Sequence, residues 1–265
     1  MEFQLLSEVE KSEKICHKHD TPFYEFKGQS FCPLCQKEQM EAKEQARAKE
    51  QFKKYHLRKT VEALEKDSIL GDESLRKANF KNYIPTNEET EKALYNARHI
   101  AGEYLKADYN FNTILTGKPG TGKSHLAMSI LKAVNENSKP FRSCVFISVN
   151  DLFRLIKDAI SKPDSKYSEL NMVTLLKEAD LLVLDDLGSE SSFKRETTES
   201  SEYNQKILFG ILNARNRTII TTNLSSDELD AIYNIKITSR LYKGVEGHVI
   251  KFTEATEDKR SKIKF

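Results

Sequence analysis

The sequence predicts an α/β fold for the larger, C-terminal part of the chain, and three observations indicate it. A glycine-rich loop at 117–122 joins a short apolar run to a segment with helical spacing. A second apolar run, 181–184, ends in two aspartates, and a third run, 218–222, ends in an asparagine. Apolar strands that alternate with helices favour a parallel sheet with helices on its faces. A segment rich in cysteine and histidine precedes this part.

The composition fits a chain of one or two domains that folds around a real core. Of 265 residues, 38% are apolar and 31% charged, and the net charge is only +2. Global charge therefore gives no argument for nucleic-acid binding, which would need local patches. There is no apolar run of membrane-spanning length and no secretory signal at the N-terminus. We therefore expect a cytoplasmic protein with reduced thiols.

Four residues near the N-terminus have the spacing of a zinc site. Cys16 and His19 form one short-spaced pair, and Cys32 and Cys35 form the second, twelve residues later. The segment between the pairs alternates around Lys27-Gly28, as a small hairpin would. So short a module cannot build a core, so metal would supply its folding energy.

Other interpretations of these residues remain open at this point. A redox dithiol at Cys32 and Cys35 would need a βαβ context, which is missing, and a disulfide is disfavoured in a reducing compartment. His17 is an alternative to His19 as the fourth ligand. The remaining cysteine, Cys144, lies in the apolar run CVFISV and is expected to be buried in a strand. We predict one zinc ion per chain.

The segment 37–77 is predicted to be a helical linker between the N-terminal module, 1–36, and the larger α/β domain, 78–265. From Gln36 to Lys66 it lacks glycine and proline and carries nine basic residues against six glutamates. A solvated spacer helix is the favoured interpretation. The alternative is a basic helix that contacts a partner or nucleic acid.

The loop GKPGTGKS carries the strongest functional signal in the chain. It fits the pattern G-x4-G-K-[ST] and stands between a strand and a helix, as phosphate binding requires. Lys123 is expected to reach the β- and γ-phosphates of ATP, and Ser124 to bind Mg²⁺. The predicted cofactor-binding residues are Gly117, Lys118, Pro119, Gly120, Thr121, Gly122, Lys123, Ser124 and His125.

Polar residues at the ends of the later strands complete the predicted catalytic set. Asp185 is the expected water-mediated Mg²⁺ ligand, and Asp186 would activate the attacking water. Asn223 ends the third strand and could sense the γ-phosphate. Arg240 could stabilise charge on a phosphoryl group held by a neighbouring subunit.

In combination, these motifs resemble the AAA+ ATPases and, more narrowly, the DnaC/DnaI family of replicative helicase loaders. The residues that carry the resemblance are TGKPGTGKSHLA, LLVLDDLGSE, TTNL and TSRLYKG, over roughly residues 68–253. The resemblance implies a five-stranded parallel sheet with flanking helices. Thirteen residues follow Phe252, so no C-terminal lid is expected.

The same resemblance assigns roles to individual residues. Lys123 and Ser124 match the Walker A lysine and magnesium ligand, Asp185 and Asp186 the Walker B pair, and Asn223 the sensor 1 position. Arg240 matches the arginine finger that acts on ATP in the adjacent protomer, which implies self-association. Many AAA+ proteins have Glu where Asp186 stands, so slow hydrolysis, stimulated by DNA or a partner, is expected.

The function that the resemblance implies is ATP-dependent delivery of a DnaB-type hexameric helicase onto single-stranded DNA. The zinc module would bind the helicase, with Phe23, Tyr24 and Phe26 as its outer surface. Candidate DNA contacts are Arg154, Lys157, Lys162, Lys166 and Tyr167. The polar stretch 188–205 is predicted to be a mobile loop that precedes a helix.

Two further functions remain as alternatives. One is a transposition helper ATPase of the IstB type, which acts on duplex DNA. The other is an adaptor that binds nucleotide with little turnover.

Overall fold

We describe a computed structural model of the chain over residues 9–106, 108, 110–162, 164–189 and 198–258. The chain divides into two compact units, Met1–His56 and Leu57–Phe265. Each unit has its own sheet.

The first unit contains a three-stranded antiparallel sheet and most of a long helix. The strands are β1 (Glu10–Ile15), β2 (Pro22–Phe26) and β3 (Gln29–Phe31), and helix α1 spans Pro33–Lys59. The predicted hairpin is confirmed, because β2 pairs with β3 around Lys27 and Gly28, which have φ of 50° and 78°. Within the described part of this unit, the buried residues are Cys16 and Cys32 alone.

The second unit is built on a five-stranded sheet. Its strands are β4 (Thr113–Thr116), β5 (Cys144–Ser148), β6 (Leu181–Asp185), β7 (Thr218–Thr222) and β8 (Val249–Lys251). The order is β5-β6-β7-β4-β8, and every neighbouring pair is parallel. The prediction of a five-stranded parallel sheet is therefore confirmed, and Cys144 is fully buried in β5 as expected.

Helices cover both faces of this sheet, which explains why its strands are apolar on both sides. One apolar cluster packs the helices at Glu88–Leu105 and Lys123–Asn137 against Leu115, Phe146 and Val183. The other cluster packs the later helices against side chains of the opposite face. The helices are α2 (Ala63–Lys66), α3 (Glu88–Leu105), α4 (Lys123–Asn137), α5 (Val149–Asp158), α6 (Glu169–Glu178), α7 (Thr198–Asn213), α8 (Ser226–Ile232) and α9 (Ile235–Leu241), with a 3₁₀ helix at Glu73–Lys77.

The predicted linker, 37–77, is only partly a solvated helix. Helix α1 buries no side chain, as a spacer would. The later residues instead pack on the second unit: Ala63 is 2% exposed, and Ile69 donates its N–H to the carbonyl of Phe146 at 2.8 Å. The division of the chain at His56 thus lies inside the predicted linker, because apolar residues beyond Lys59 join the edge of the sheet at β5.

Residues 190–197 of the polar stretch 188–205 lie outside the described residues, and so does the prediction of a mobile loop there. For residues 198–205 the loop prediction is wrong, because this part of the stretch is helical. The helix expected after it is α7, which begins at Thr198. Among the residues that the structure describes, no helix combines the length and apolarity needed to cross a membrane.

Candidate nucleotide site and metal centre

The phosphate loop connects β4 to α4, so its backbone lies at the carboxyl end of the sheet. Gly117, Gly120 and Gly122 have φ of 143°, 74° and 98°, which side chains rarely adopt. Side chains at these positions would also clash with their neighbours. A Cβ at Gly117 would lie 2.6 Å from the carbonyl oxygen of Phe252, and one at Gly122 would lie 2.9 Å from the ring of Tyr83. The loop is therefore a glycine-dependent cradle that opens onto the N-terminus of α4.

Lys123 is the first residue of α4, and its ammonium group lies inside this cradle. Its Nζ donates to the carbonyl oxygens of Gly117 and Lys118, both at 2.7 Å, and to Oδ1 of Asn223 at 2.8 Å. The side chain is 94% buried, since only 6% is exposed. These contacts hold the ammonium group at the mouth of the loop, where a phosphate would bind.

Asp185 ends β6 and is the buried carboxylate of the site, with 8% exposure. Burial raises the pKa of this carboxyl above its ordinary value, while hydrogen bonds from Thr221 and Ser124 act in the opposite direction. Thr221 Oγ1 donates to Asp185 Oδ1 at 2.6 Å. A carboxylate beside a hydroxyl is a donor set that fits Mg²⁺, so Asp185 and Ser124 are suited to hold the predicted ion.

Asp186 takes a backbone conformation that aims its carboxylate at Asn223. Its φ is 59°, in the left-handed region that few residues other than glycine adopt. Its Oδ1 accepts from Asn223 Nδ2 at 2.8 Å, and Asn223 Oδ1 in turn accepts from Lys123. The sequence placed these three residues on separate strands and loops, and the structure brings them into one hydrogen-bonded chain.

Arg240 does not join this group. It lies on α9, where its Nε donates to Asn213 Oδ1 at 3.1 Å. Its carbonyl oxygen accepts from the side chain of Asn112, the residue just before β4. Arg240 is thus near the amino end of the strand whose carboxyl end leads into the phosphate loop.

Sequence reasoning missed two contributors to the nucleotide site. Thr221 holds both aspartates, since its hydroxyl also accepts the Asp186 N–H at 2.9 Å. Tyr83 packs on the loop, with its ring edge-on to His125 at 5.3 Å, and burial raises its pKa to about 12. The sequence features that could have indicated these two residues are the threonine pair at the end of an apolar strand and the aromatic residues of NFKNYIPTN.

The predicted zinc ligands Cys16, His19, Cys32 and Cys35 come together in the first unit, with all four donor atoms within 4.8 Å of one another. The Sγ atoms of Cys16 and Cys35 are 3.6 Å apart, and His19 Nδ1 lies 3.3–3.7 Å from the three sulfurs. A tetrahedron with zinc–sulfur bonds of about 2.3 Å has edges of about 3.5–3.8 Å, so the donor set fits zinc.

The same distances test the two alternatives to this zinc site, a disulfide and ligation by His17. A separation of 3.6 Å is far longer than a disulfide bond, so the cysteines are free thiols. His17 is exposed and does not belong to the cluster, whereas His19 does. Glu38, on α1, forms a hydrogen bond with the imidazole of His19, with 3.0 Å between Glu38 Oε1 and His19 Nε2. This contact orients the ring so that Nδ1 faces the three sulfurs.

The residues proposed to contact DNA are exposed or half-buried on α5 and the loop after it. Arg154 pairs with Asp151 at 3.0 Å, and the ammonium group of Lys166 lies 4.6 Å from the ring centre of Tyr167. Their accessibility fits a contact with a polyanion, and their role stays a prediction.

We expect Thr221→Val to weaken Mg²⁺-dependent ATP binding about tenfold, because it removes the hydroxyl shared by Asp185 and Asp186. Titration of a fluorescent ATP analogue at several Mg²⁺ concentrations measures this. Thr222→Val is the matched control: Thr222 is also buried in β7, but its hydroxyl donates to the carbonyl of Leu187 at 2.7 Å. Equal binding by the two variants would contradict the role of Thr221.

Comparison with known proteins identifies the family of this fold. Residues 96–251 match the family described as IstB-like ATP binding protein. The replicative helicase loader DnaC of Escherichia coli (strain K12) is 30% identical over 169 residues, and the uncharacterized protein YdaV of the same organism is 31% identical over 170. These alignments cover 62% and 63% of this chain, and 63% and 62% of the relatives.

Solved structures agree with this assignment. A crystal structure of the DnaC helicase loader aligns with a TM-score of 0.54 and 27% identity, covering 69% of this chain and all of that one. A crystal structure of DnaI aligns with a TM-score of 0.53 over 70% of this chain and 96% of that one; at 20% identity it shows the fold alone. This chain spans less than two thirds of the length of the curated relatives it matches. Because the family match covers more than half of the chain and the fold agrees, the chain belongs to the IstB-like ATP-binding proteins and has the AAA+ P-loop ATPase fold.

Proposed function

We propose that this protein is an ATP-dependent loader that binds a DnaB-type hexameric helicase and delivers it onto single-stranded DNA. The observation that carries the proposal is the chain of contacts from Lys123 through Asn223 to Asp186 at the mouth of the phosphate loop. In it, a phosphate-binding cation, a polar sensor and a carboxylate are joined by direct hydrogen bonds.

The geometry supports ATP hydrolysis as follows. The loop amides and Lys123 would hold the phosphates, and Ser124 and Asp185 would hold Mg²⁺, which would supply positive charge beside them. Asp186 stands beside Asn223, where it can orient a water towards the γ-phosphate. Since aspartate is shorter than glutamate, we expect slow turnover that DNA or the helicase accelerates.

The position of Arg240 supports self-association. The residue lies towards the amino end of β4, whereas the phosphate loop follows the carboxyl end of that strand. Arg240 is therefore suited to act on a nucleotide held by a neighbouring protomer. In such an assembly each site would be completed by a second copy of the chain.

The first unit is the proposed docking module for the helicase. Four ligands in a Cys₃His set would fold it around zinc, with β2 and β3 beside the metal. Phe23, Tyr24 and Phe26 lie on β2 and are half-buried, so part of each ring is available to a partner. The likeness to proteins named helicase loaders supports the loader role of the chain, and the docking role of the first unit rests on its own residues.

The test of the proposal combines co-purification with a hexameric replicative helicase and ATP turnover in the presence of DNA. We expect association with the helicase, and faster turnover with single strands than with duplex of equal length. No association, together with turnover that single strands leave unchanged, would contradict the loader. Stimulation by duplex instead would favour a transposition helper, which the IstB-like family description supports as the second candidate.

A further inference from the structure

A short segment after β8 lies along the phosphate loop, and we name it the strap, residues 253–258. It begins where Gly117 contacts Phe252 so closely that no Cβ would fit between them. The strap passes between two cavities. One, of about 590 Å³, is lined by Asn87, Glu89 and Ala255, and the other, of about 760 Å³, by Lys118, Thr253 and Glu254 among others.

Hydrogen bonds to the start of α3 hold the strap in place. The carboxylate of Glu89 accepts from the N–H of Thr253 at 2.9 Å, from the Thr253 hydroxyl at 2.7 Å and from the Thr256 hydroxyl. Asn87 donates its side-chain amide to the carbonyl of Ala255 at 2.8 Å. Thr256 is 2% exposed, so the strap is packed rather than lying loose on the surface.

Two carboxylates of the anchored strap face the phosphate loop. Glu254 forms an ion pair with Lys118, at an exposed position. Asp258 lies directly over Gly120, where a Cβ built on the glycine would overlap its carboxylate group. A loop whose amides and helix N-terminus attract anions thus has a carboxylate from its own chain against it.

We infer that the strap is a built-in competitor for the nucleotide, with the carboxylate of Asp258 in the path of the phosphates at the loop. Phosphate and carboxylate are both anions, and two of them cannot share the space over Gly120 without strong repulsion. ATP binding must therefore move Asp258 away. Because Glu89 and Asn87 anchor the strap to the start of α3, displacement of the strap changes the contacts of that helix when a nucleotide binds. The inference rests on the proposed role of the loop as the ATP site.

The test measures equilibrium binding of a fluorescent ATP analogue to the full chain and to single variants. Asp258→Asn keeps the size of the side chain and removes its charge, and we expect about fivefold tighter binding. Glu89→Gln, which weakens the anchor, should shift affinity in the same direction. Glu246→Gln is the matched control: it removes one negative charge from an exposed residue outside the strap, and we expect unchanged affinity.

The outcomes separate the strap from the site itself. If Asp258→Asn bound the analogue with unchanged or lower affinity, while Lys123→Ala still removed most binding in both backgrounds, the strap would be overturned and the ATP site would stand. Binding by Lys123→Ala equal to that of the wild type would overturn the ATP site, and the strap with it. If Glu246→Gln tightened binding as much as Asp258→Asn, the gain in affinity would come from the change in net charge alone. That result would also contradict the role of the strap.

Discussion

Lys123→Ala is expected to lower ATP turnover about a hundredfold or more and to remove most nucleotide binding. The ammonium group is the buried cation of the cradle, 2.7 Å from two loop carbonyls and 2.8 Å from Asn223. The truncation removes the charge that would meet the phosphates and breaks the contact chain to Asp186. Steady-state phosphate release and titration of a fluorescent ATP analogue measure the two effects.

The control for this prediction is Lys132→Ala, which removes a lysine further along the same helix, where it contacts a backbone carbonyl outside the loop. We expect near-normal turnover from it. If Lys123→Ala turned over ATP as fast as the Lys132 variant, the assignment of the phosphate loop would be wrong. Thermal unfolding of both variants checks that loss of activity is not loss of fold.

Removal of zinc, by chelation or by Cys32→Ser, is expected to unfold the first unit. The described part of that unit buries only Cys16 and Cys32, so it has no apolar core that could stabilise its three strands. Metal binding would then supply most of the folding free energy, on the order of 10 kcal/mol. Hydrogen exchange should rise over residues 10–35 and stay unchanged over β4–β8.

Histidine variants provide the matched pair for this prediction. His19→Ala should lose the metal, because Nδ1 of His19 lies 3.3 Å from Cys35 Sγ, whereas His17→Ala should retain one zinc per chain. Elemental analysis of the purified proteins decides between them. A wild-type protein without zinc and with freely titratable thiols would contradict the metal centre.

Much of the fold was predictable because the signals were local. Strand β4, the loop and α4 follow from apolar spacing and from three glycines that a phosphate cradle requires. The strand ends at Asp185 and Asn223 could be placed because parallel strands end at one edge of a sheet. The clustering of the three cysteines with a histidine was predictable from their spacing, which left open whether His17 or His19 takes part.

The contacts that sequence reasoning missed join residues far apart in the chain. Tyr83 contacts Gly122 and Glu89 contacts Thr253. Thr221 contacts both Asp185, at the end of β6, and Asp186, which follows it. None of these pairs has a fixed spacing or a motif of its own. The contact of Ile69 with β5 was not predicted for a related reason: a strongly charged helix gives way to a few apolar residues, and composition alone does not show that change.

If ATP at this site controls delivery of a helicase, the amount of hexameric helicase placed on single-stranded DNA must depend on ATP and on Lys123. The assay compares the wild type with Lys123→Ala, with ATP and without nucleotide. We expect ATP-dependent loading by the wild type and little loading by the variant, with equal binding of the helicase by the two proteins. Equal loading by the two proteins, or loading that does not respond to ATP, would contradict this role of ATP.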